Sequence, residues 1–246
     1  MPYTTRLMMG AELAKLHDQR QHEQARKYFD LAADFKANIS CDCKPWFVGV
    51  WDTVSSVGWI ENPLKLPYIA NNPDIQIGRQ AIAIDERRAF FRNHVWRKPS
   101  DPTAASGPKD VMQVWFPGVH CDVGGGYAEE ESGLSKVALD WMIEEAVKAR
   151  LAVDAAKTAE ILGAGSTKHV PPDFNAPAHE SLTGWWHLAE LVPKKHYDWR
   201  TGETRRSMNL WSRRTIPPQS LVHGCAFRRK DYENRIPSDA VMVKTR

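Results

Sequence analysis

A chain of 246 residues, 42% hydrophobic and 26% charged, is long and apolar enough to bury a sizeable core, which excludes a disordered protein. Its net charge of +3 is too small to imply a nucleic-acid partner by itself, and none is expected. No apolar run approaches the roughly 18 residues of a membrane span, residues 1–10 lack the apolar core of a secretory signal, and four cysteines (41, 43, 121, 225) are too scattered for a disulfide framework. A cytoplasmic setting with reduced thiols follows as the expectation, and any export would use a route that reads no such signal. Cys41 and Cys43 have no matching second pair, so neither a metal nor a cofactor is expected.

In chain order, residues 1–10 show no clean period. Residues 11–37 are alanine-rich, with Leu13, Leu16, Ala25, Phe29, Ala32 and Ala33 predicting one or two helices with an apolar stripe. Residues 46–51, WFVGVW, predict a buried strand that runs into Asp52. The prolines and paired asparagines of 61–79 predict a surface connection, and the apolar run 81–84 leads into Asp85, Glu86, Arg87 and Arg88, read as an ion-pair set at a helix start. A loop is predicted over 98–110. Residues 111–116 then predict a strand buried on both faces, ended by Pro117 and Gly118.

His120 thus sits just past a strand's carboxyl end, the edge where open α/β sheets place their ligands. Gly124, Gly125 and Gly126 follow, suited to positive φ or to close approach. Residues 134–150 form the clearest helical pattern, with Leu134, Val137, Ala138, Trp141, Met142 and Ala146 on one face and Ser132 as the expected N-cap. Residues 151–175 lose any pattern; GAGSTK at 163–168 is not a phosphate loop, because the order of Lys and Ser/Thr is wrong and no strand precedes it. Residues 178–191 predict a helix ended by Pro193. From Lys194 to Lys230 ten lysines and arginines face only Asp198 and Glu203, a basic stretch expected as a solvated face. The ten tryptophans include Trp46, Trp51, Trp115 and Trp141, which lie in strand or helix patterns and are expected in the core.

Two ionisable groups, Asp52 and His120, therefore leave the same edge of one parallel sheet. An aspartate that accepts a hydrogen bond from one ring nitrogen fixes a histidine's tautomer, and the other nitrogen can act as a general base for a nucleophile. The order acid then histidine is that of α/β-hydrolases, whose serine lies upstream of both. No G-x-S-x-G elbow occurs in the 246 residues, and Ser55 and Ser56, too close to Asp52, read as turn residues. Asp122, two residues from the histidine, is expected to bond backbone amides and shape the glycine turn. A metal hydrolase built on His120, Asp122 and Asp52 is disfavoured by its single histidine. His179, His187 and His223 have no partner signalled.

The blocks FVGVWDTVSSVG (47–58), AIAIDERRAFF (81–91), VWFPGVHCDVGGGY (114–127) and GLSKVALDWMIEEA (133–146) resemble the uncharacterised α/β-hydrolase domain family that includes the catalytic domain of type VI secretion phospholipase effectors. HESLTGWWHLAE (179–190) and IPPQSLVHGCAFRR (216–229) are similar to its C-terminal part. The resemblance implies a partial α/β-hydrolase-like sheet with flanking helices, one domain over 1–246 with a helical lead-in (1–40), an Asp/His-bearing core (46–150) and a helical, basic C-terminal part (151–246). It also implies a serine ester hydrolase acting on a lipid or other ester, with Asp52 and His120 as acid and base. The family's elbow, G-F-S-R-G-A, would precede Met1-Pro2-Tyr3. The expectation is the C-terminal half of the fold, inert as a triad hydrolase alone, complemented by a separately encoded N-terminal half or retained as a truncated remnant or non-catalytic binding module. Its uncovered sheet edge is expected to drive self-association.

Overall fold

The computed structural model describes residues 22–39, 41, 44–54, 58–59, 62–63, 72–92, 95–96, 108–198 and 203–245. The elements are helix α1 (His22–Ile39), strands β1 (Phe47–Trp51), β2 (Gly58–Trp59), β3 (Asn62–Pro63), β4 (Ile77–Ala83) and β5 (Asp110–Phe116), and helices α2 (His120–Gly124), α3 (Gly133–Lys148), α4 (Ala155–Ile161) and α5 (Trp186–Ala189). Strands β6 (Lys194–Asp198), β7 (Glu203–Ser207) and β8 (Leu221–His223), helix α6 (Gly224–Phe227) and strand β9 (Val241–Val243) complete the series.

The fold is α/β. Five strands in the order β1-β4-β5-β8-β9 form one parallel sheet. Ala81 pairs with Trp51 on one side and Val114 on the other, so β4 lies between the strands of Asp52 and His120. Side chains alternate across a strand. Ala81, Ala83, Val114 and Phe116 therefore share one face, packed under Val137, Ala138, Trp141 and Met142 of α3. Ile82, Ile84, Trp115 and Val222 share the other, packed with Ile216, Ala226 and Tyr232. Burial on both faces is what a parallel sheet requires, and it explains why these strands read as continuous apolar runs. The stripe of α3 ends in buried Glu145, which receives Arg79 of β4 at 2.6 Å; Arg79 also reaches Asp110 of β5 at 2.8 Å.

Several expectations are corrected. Residues 77–79, assigned to a surface connection, belong to β4. The polar pair Arg79-Gln80 inside it masked the strand, because both are buried with partners that only the folded chain supplies. No helix starts at Asp85: the chain leaves the strand and wraps buried Glu86 in turns. Residues 151–175 contain α4, capped by Asp154, whose side chain accepts from Lys157 N. Over 178–191 only α5 is helical. The C-terminal part, expected as helical, carries the β6–β7 hairpin and the sheet strands β8 and β9. Ser132 precedes α3, but its hydroxyl donates back to Ala128 O at 2.8 Å rather than capping the helix. Trp115 and Trp141 are buried and Trp51 is half-buried, whereas Trp46 is exposed, its indole N–H on Ala149 O at 2.8 Å. Met1-Pro2-Tyr3, Leu13, Leu16, Cys43, Ser55, Ser56 and most of 61–71 and 98–107 lie outside the described residues.

Candidate active site

β1 ends at Trp51, and the next residue turns sharply: Asp52 has φ 42°, a left-handed conformation that aspartate tolerates better than most residues. Its N–H remains on the ladder, donating to Ala81 O at 2.7 Å. This turn aims the carboxylate across the end of β4, where Ala83 N–H donates to Oδ1 at 2.9 Å. β5 ends at Phe116, and the Pro117-Gly118 turn starts α2 at His120. His120 Nδ1 lies 2.7 Å from Asp52 Oδ2. The two residues singled out in the sequence are thus brought together over the carboxyl end of the intervening strand.

Asp52 is 0% exposed, and His120 is only partly buried. Burial pushes the carboxyl up, but the Arg214 guanidinium beside it and hydrogen bonds from His120, Arg214 and Ala83 N–H outweigh that and hold it below the usual carboxylate value. Arg214 was missed by sequence reading. Its Nη1 lies 2.5 Å from Asp52 Oδ1 and 2.8 Å from Ala83 O, and its Nη2 reaches Asp52 Oδ2 at 3.1 Å and Phe91 O. The sequence displayed it only as one charge in a basic stretch; no local pattern marks a cation that turns inward.

A second carboxylate supports the histidine from its backbone side. Glu86 accepts His120 N–H at 3.2 Å and both Ser181 contacts at 3.1 Å, and takes Arg88 through Nε and Nη2 at 2.9 Å each. Burial raises its pKa, but the Arg88 bonds and charge and the His120 amide bring the carboxyl below its ordinary value. Arg88 lies 3.6 Å over the Phe91 ring, and Phe91 meets the His120 ring edge-on at 5.0 Å. Cys121, beside the histidine, is no ready thiolate, since burial pushes its thiol up.

Asp122 sits elsewhere. Buried within α2, it accepts Val119 N–H at 2.9 Å and His179 N–H at 3.0 Å through Oδ2, and pairs with His179 Nδ1 at 2.6 Å through Oδ1. The expectation that it bonds backbone amides matches this geometry. His179, for which the sequence signals no partner, has further ones: its ring stacks on Tyr127 at 3.7 Å and its Nε2 lies 3.6 Å from Glu131. This second histidine–aspartate pair clamps the 178–182 segment onto the turn that carries His120. His223 is likewise partnered, stacked on Phe116 at 4.7 Å with Nε2 2.6 Å from Thr245 Oγ1, and His187 Nδ1 accepts the Trp211 indole N–H at 3.0 Å. Gly125 and Gly126 adopt positive φ (82° and 127°); Gly124 does not, and a Cβ there would meet only Trp51 Cβ at ordinary contact. Gly118, on the turn into α2, is tightly constrained, at φ 100° with Asp122 Cβ 2.4 Å from where its own Cβ would stand. Among the described residues no group of three or more His, Cys, Asp or Glu side chains is arranged to hold a metal.

The chain is similar to the uncharacterized protein YEL023C of Saccharomyces cerevisiae, 36% identical over 30% of this chain and 12% of that protein. It is also similar to an uncharacterized protein of Pseudomonas aeruginosa whose crystal structure is known, at 23% identity and a TM-score of 0.32, over 46% of this chain and 20% of that one. The chain therefore spans only a small part of either relative. The family model described as type VI secretion system, phospholipase effector Tle1-like, catalytic domain matches residues 5–145, more than half of the chain and all of the strand ends that carry Asp52, Glu86 and His120. This chain belongs to the Tle1-like phospholipase effector catalytic domain family.

Proposed function

We propose that Asp52 and His120 are the acid and base of a serine ester hydrolase of phospholipase type. The observation that carries the reading is the 2.7 Å contact of His120 Nδ1 with a fully buried aspartate, at the carboxyl edge of a parallel sheet. Asp52 fixes the tautomer with the proton on Nδ1, leaving Nε2 to take the proton from a serine hydroxyl as its oxygen bonds the ester carbonyl carbon. The carbonyl carbon then releases the alcohol, which receives that proton from His120. Water, deprotonated by the same nitrogen, frees the acid and restores the serine. The role of Arg214 is to keep Asp52 ionised and oriented through this cycle, while Glu86 holds the His120 backbone.

The serine is supplied from a segment outside the 246 residues. Among the described residues β1 pairs on one side only, with β4. Its other edge is the natural place for a parallel strand whose elbow would stand beside Asp52 and His120, on the same or a separate polypeptide. Lipid esters are the substrate class that fits the family.

The test is hydrolysis of fluorogenic esters and phospholipids by the chain joined to, or mixed with, a segment bearing a glycine-flanked serine elbow. Activity is expected only with that segment, with His120→Ala abolishing it and Asp52→Asn lowering kcat by about ten-thousandfold. Full activity in folded His120→Ala would overturn the assignment, and no activity in the joined protein would favour a non-catalytic binding module on the same scaffold.

A further inference from the structure

Two segments, joined by hydrogen bonds of Glu190 and His187 to Asn209 and Trp211, together turn large apolar side chains to solvent. The first, around α5, exposes Trp185 (85%), Leu188 and Leu191; the second, after β7, exposes Met208, Leu210 (55%) and Trp211. Their alignment is enforced from below. Glu190, fully buried, accepts Ala89 N–H at 2.6 Å, Asn209 Nδ2 at 2.5 Å and Trp211 N–H at 3.3 Å, and Asn209 also donates to Arg87 O at 2.7 Å. The anchor of the second segment is thus a polar residue pointing inward, the reverse of a loop that folds to bury its hydrophobes.

The backbone is strained to achieve this. Leu210 and Trp211 both adopt positive φ, 48° and 59°, a conformation that such side chains rarely take even singly. Neither gains a core position in return. Strain spent on displaying two apolar groups to solvent is intelligible if solvent is not what they finally meet.

Charge decides what they meet. Exposed Arg206 and Arg213 flank the second segment. Helix α1 also exposes apolar residues, Phe29 and Leu31 among them, but interleaves them with equal numbers of acidic and basic residues and so has no such complement. Tryptophan and leucine edged by arginine is the composition that settles at the headgroup level of an anionic bilayer. The patch is also continuous with the site. Trp186, beneath Trp185, meets Phe91 edge-on at 5.5 Å, and Phe91 meets His120.

We infer that the surface made by residues 185–191 and 206–213 is a docking face for anionic phospholipid bilayers, placed beside His120 through the contacts of Trp186 and Phe91. The use of this face in presenting substrate rests on the hydrolase reading; its attachment to lipid does not.

The experiment is cosedimentation of the 246-residue chain with vesicles of phosphatidylcholine alone and of phosphatidylcholine with phosphatidylglycerol in equal parts, in the His120→Ala background so that no hydrolysis intervenes. Binding is expected to the anionic vesicles, weakening as salt is raised, with a blue shift of tryptophan fluorescence. Trp185→Ser with Leu188→Ser, or Leu210→Ser, should weaken partitioning about tenfold or more, as expected for loss of one or two buried apolar side chains. Arg206→Glu with Arg213→Glu should weaken it at least about fivefold and flatten the salt dependence, while Phe29→Ser should leave it unchanged. All these positions are exposed, and a thermal melt checks that each variant is folded. Absence of binding to anionic vesicles, binding indifferent to the patch variants, or patch variants that abolish self-association instead of vesicle binding would overturn the inference. Failure of the hydrolase reading would show separately, as loss of turnover on a water-soluble ester with vesicle binding intact.

Discussion

Asp52 and Arg214 are a buried pair in which each charge is tolerable only because of the other. Arg214→Met leaves a buried carboxylate with its histidine and one amide but no countercharge, and we expect a loss of about 3–5 kcal/mol at neutral pH by urea denaturation. The sign of its pH dependence follows from the depressed pKa. In the parent protein, stability from ionised Asp52 is fully present above the usual value of 3.8 and is lost as pH falls below it. In the variant, burial is less opposed and the carboxyl rises. The difference between the two proteins should therefore be full at neutral pH and close as the pH approaches 4 or lower. Asp122 serves a different end, since its partners are amides and a histidine that holds a loop. Asp122→Asn is expected to cost about 1–3 kcal/mol in the same assay through one lost or mispaired bond, and to leave turnover per folded molecule near that of the parent in the complemented enzyme.

At the scale of elements, the turn between β5 and α2 is what places His120. Gly118 occupies positive φ with the Asp122 carboxylate pressed against it, so Gly118→Ala should destabilise by about 3 kcal/mol or more. Gly125 faces open space but lies at φ 82°, ψ 170°, a region essentially restricted to glycine, so Gly125→Ala should cost about 1–3 kcal/mol through backbone strain alone; a larger loss there than at Gly118 would contradict the steric account. The β8–α6 junction carries a titrating group. His223 caps α6 by accepting Cys225 N–H, and burial, followed by the nearby Arg228 charge, lowers its pKa from 6.5 to about 4. The unfolded chain takes up the proton first, so stability should decline as pH falls from about 6.5 toward 4 and level off below. The decline should amount to about 3 kcal/mol at most for this group, and parent-minus-variant stability measured with His223→Phe across that range isolates it.

For the whole molecule, the consequential feature is that β1, which delivers Asp52, pairs among the described residues with β4 alone. An open strand edge beside Asp52, the proposed triad acid, invites pairing with another segment. Sedimentation velocity of the 246-residue chain is expected to show self-association that diminishes when the elbow-bearing segment is added. A stable monomer at all concentrations would mean that this edge is already covered.

Local pattern alone revealed β1, β5 and α3, because continuous apolar runs and a 3.6-residue stripe are properties of neighbouring residues, and the two strand ends then named Asp52 and His120. The family blocks pointed to the same pair. Only the tertiary structure decided that β4 stands between them, since Arg79 and Gln80 interrupt its apolar pattern and Arg79 becomes buried by pairing with Glu145 and Asp110 across the fold. The same holds for Arg214, 162 residues from the aspartate it holds, and for His179, 57 residues from Asp122. A charge's partner is set by where the chain returns, and nothing in the residues beside Arg214 distinguishes an inward guanidinium from the solvated ones around it.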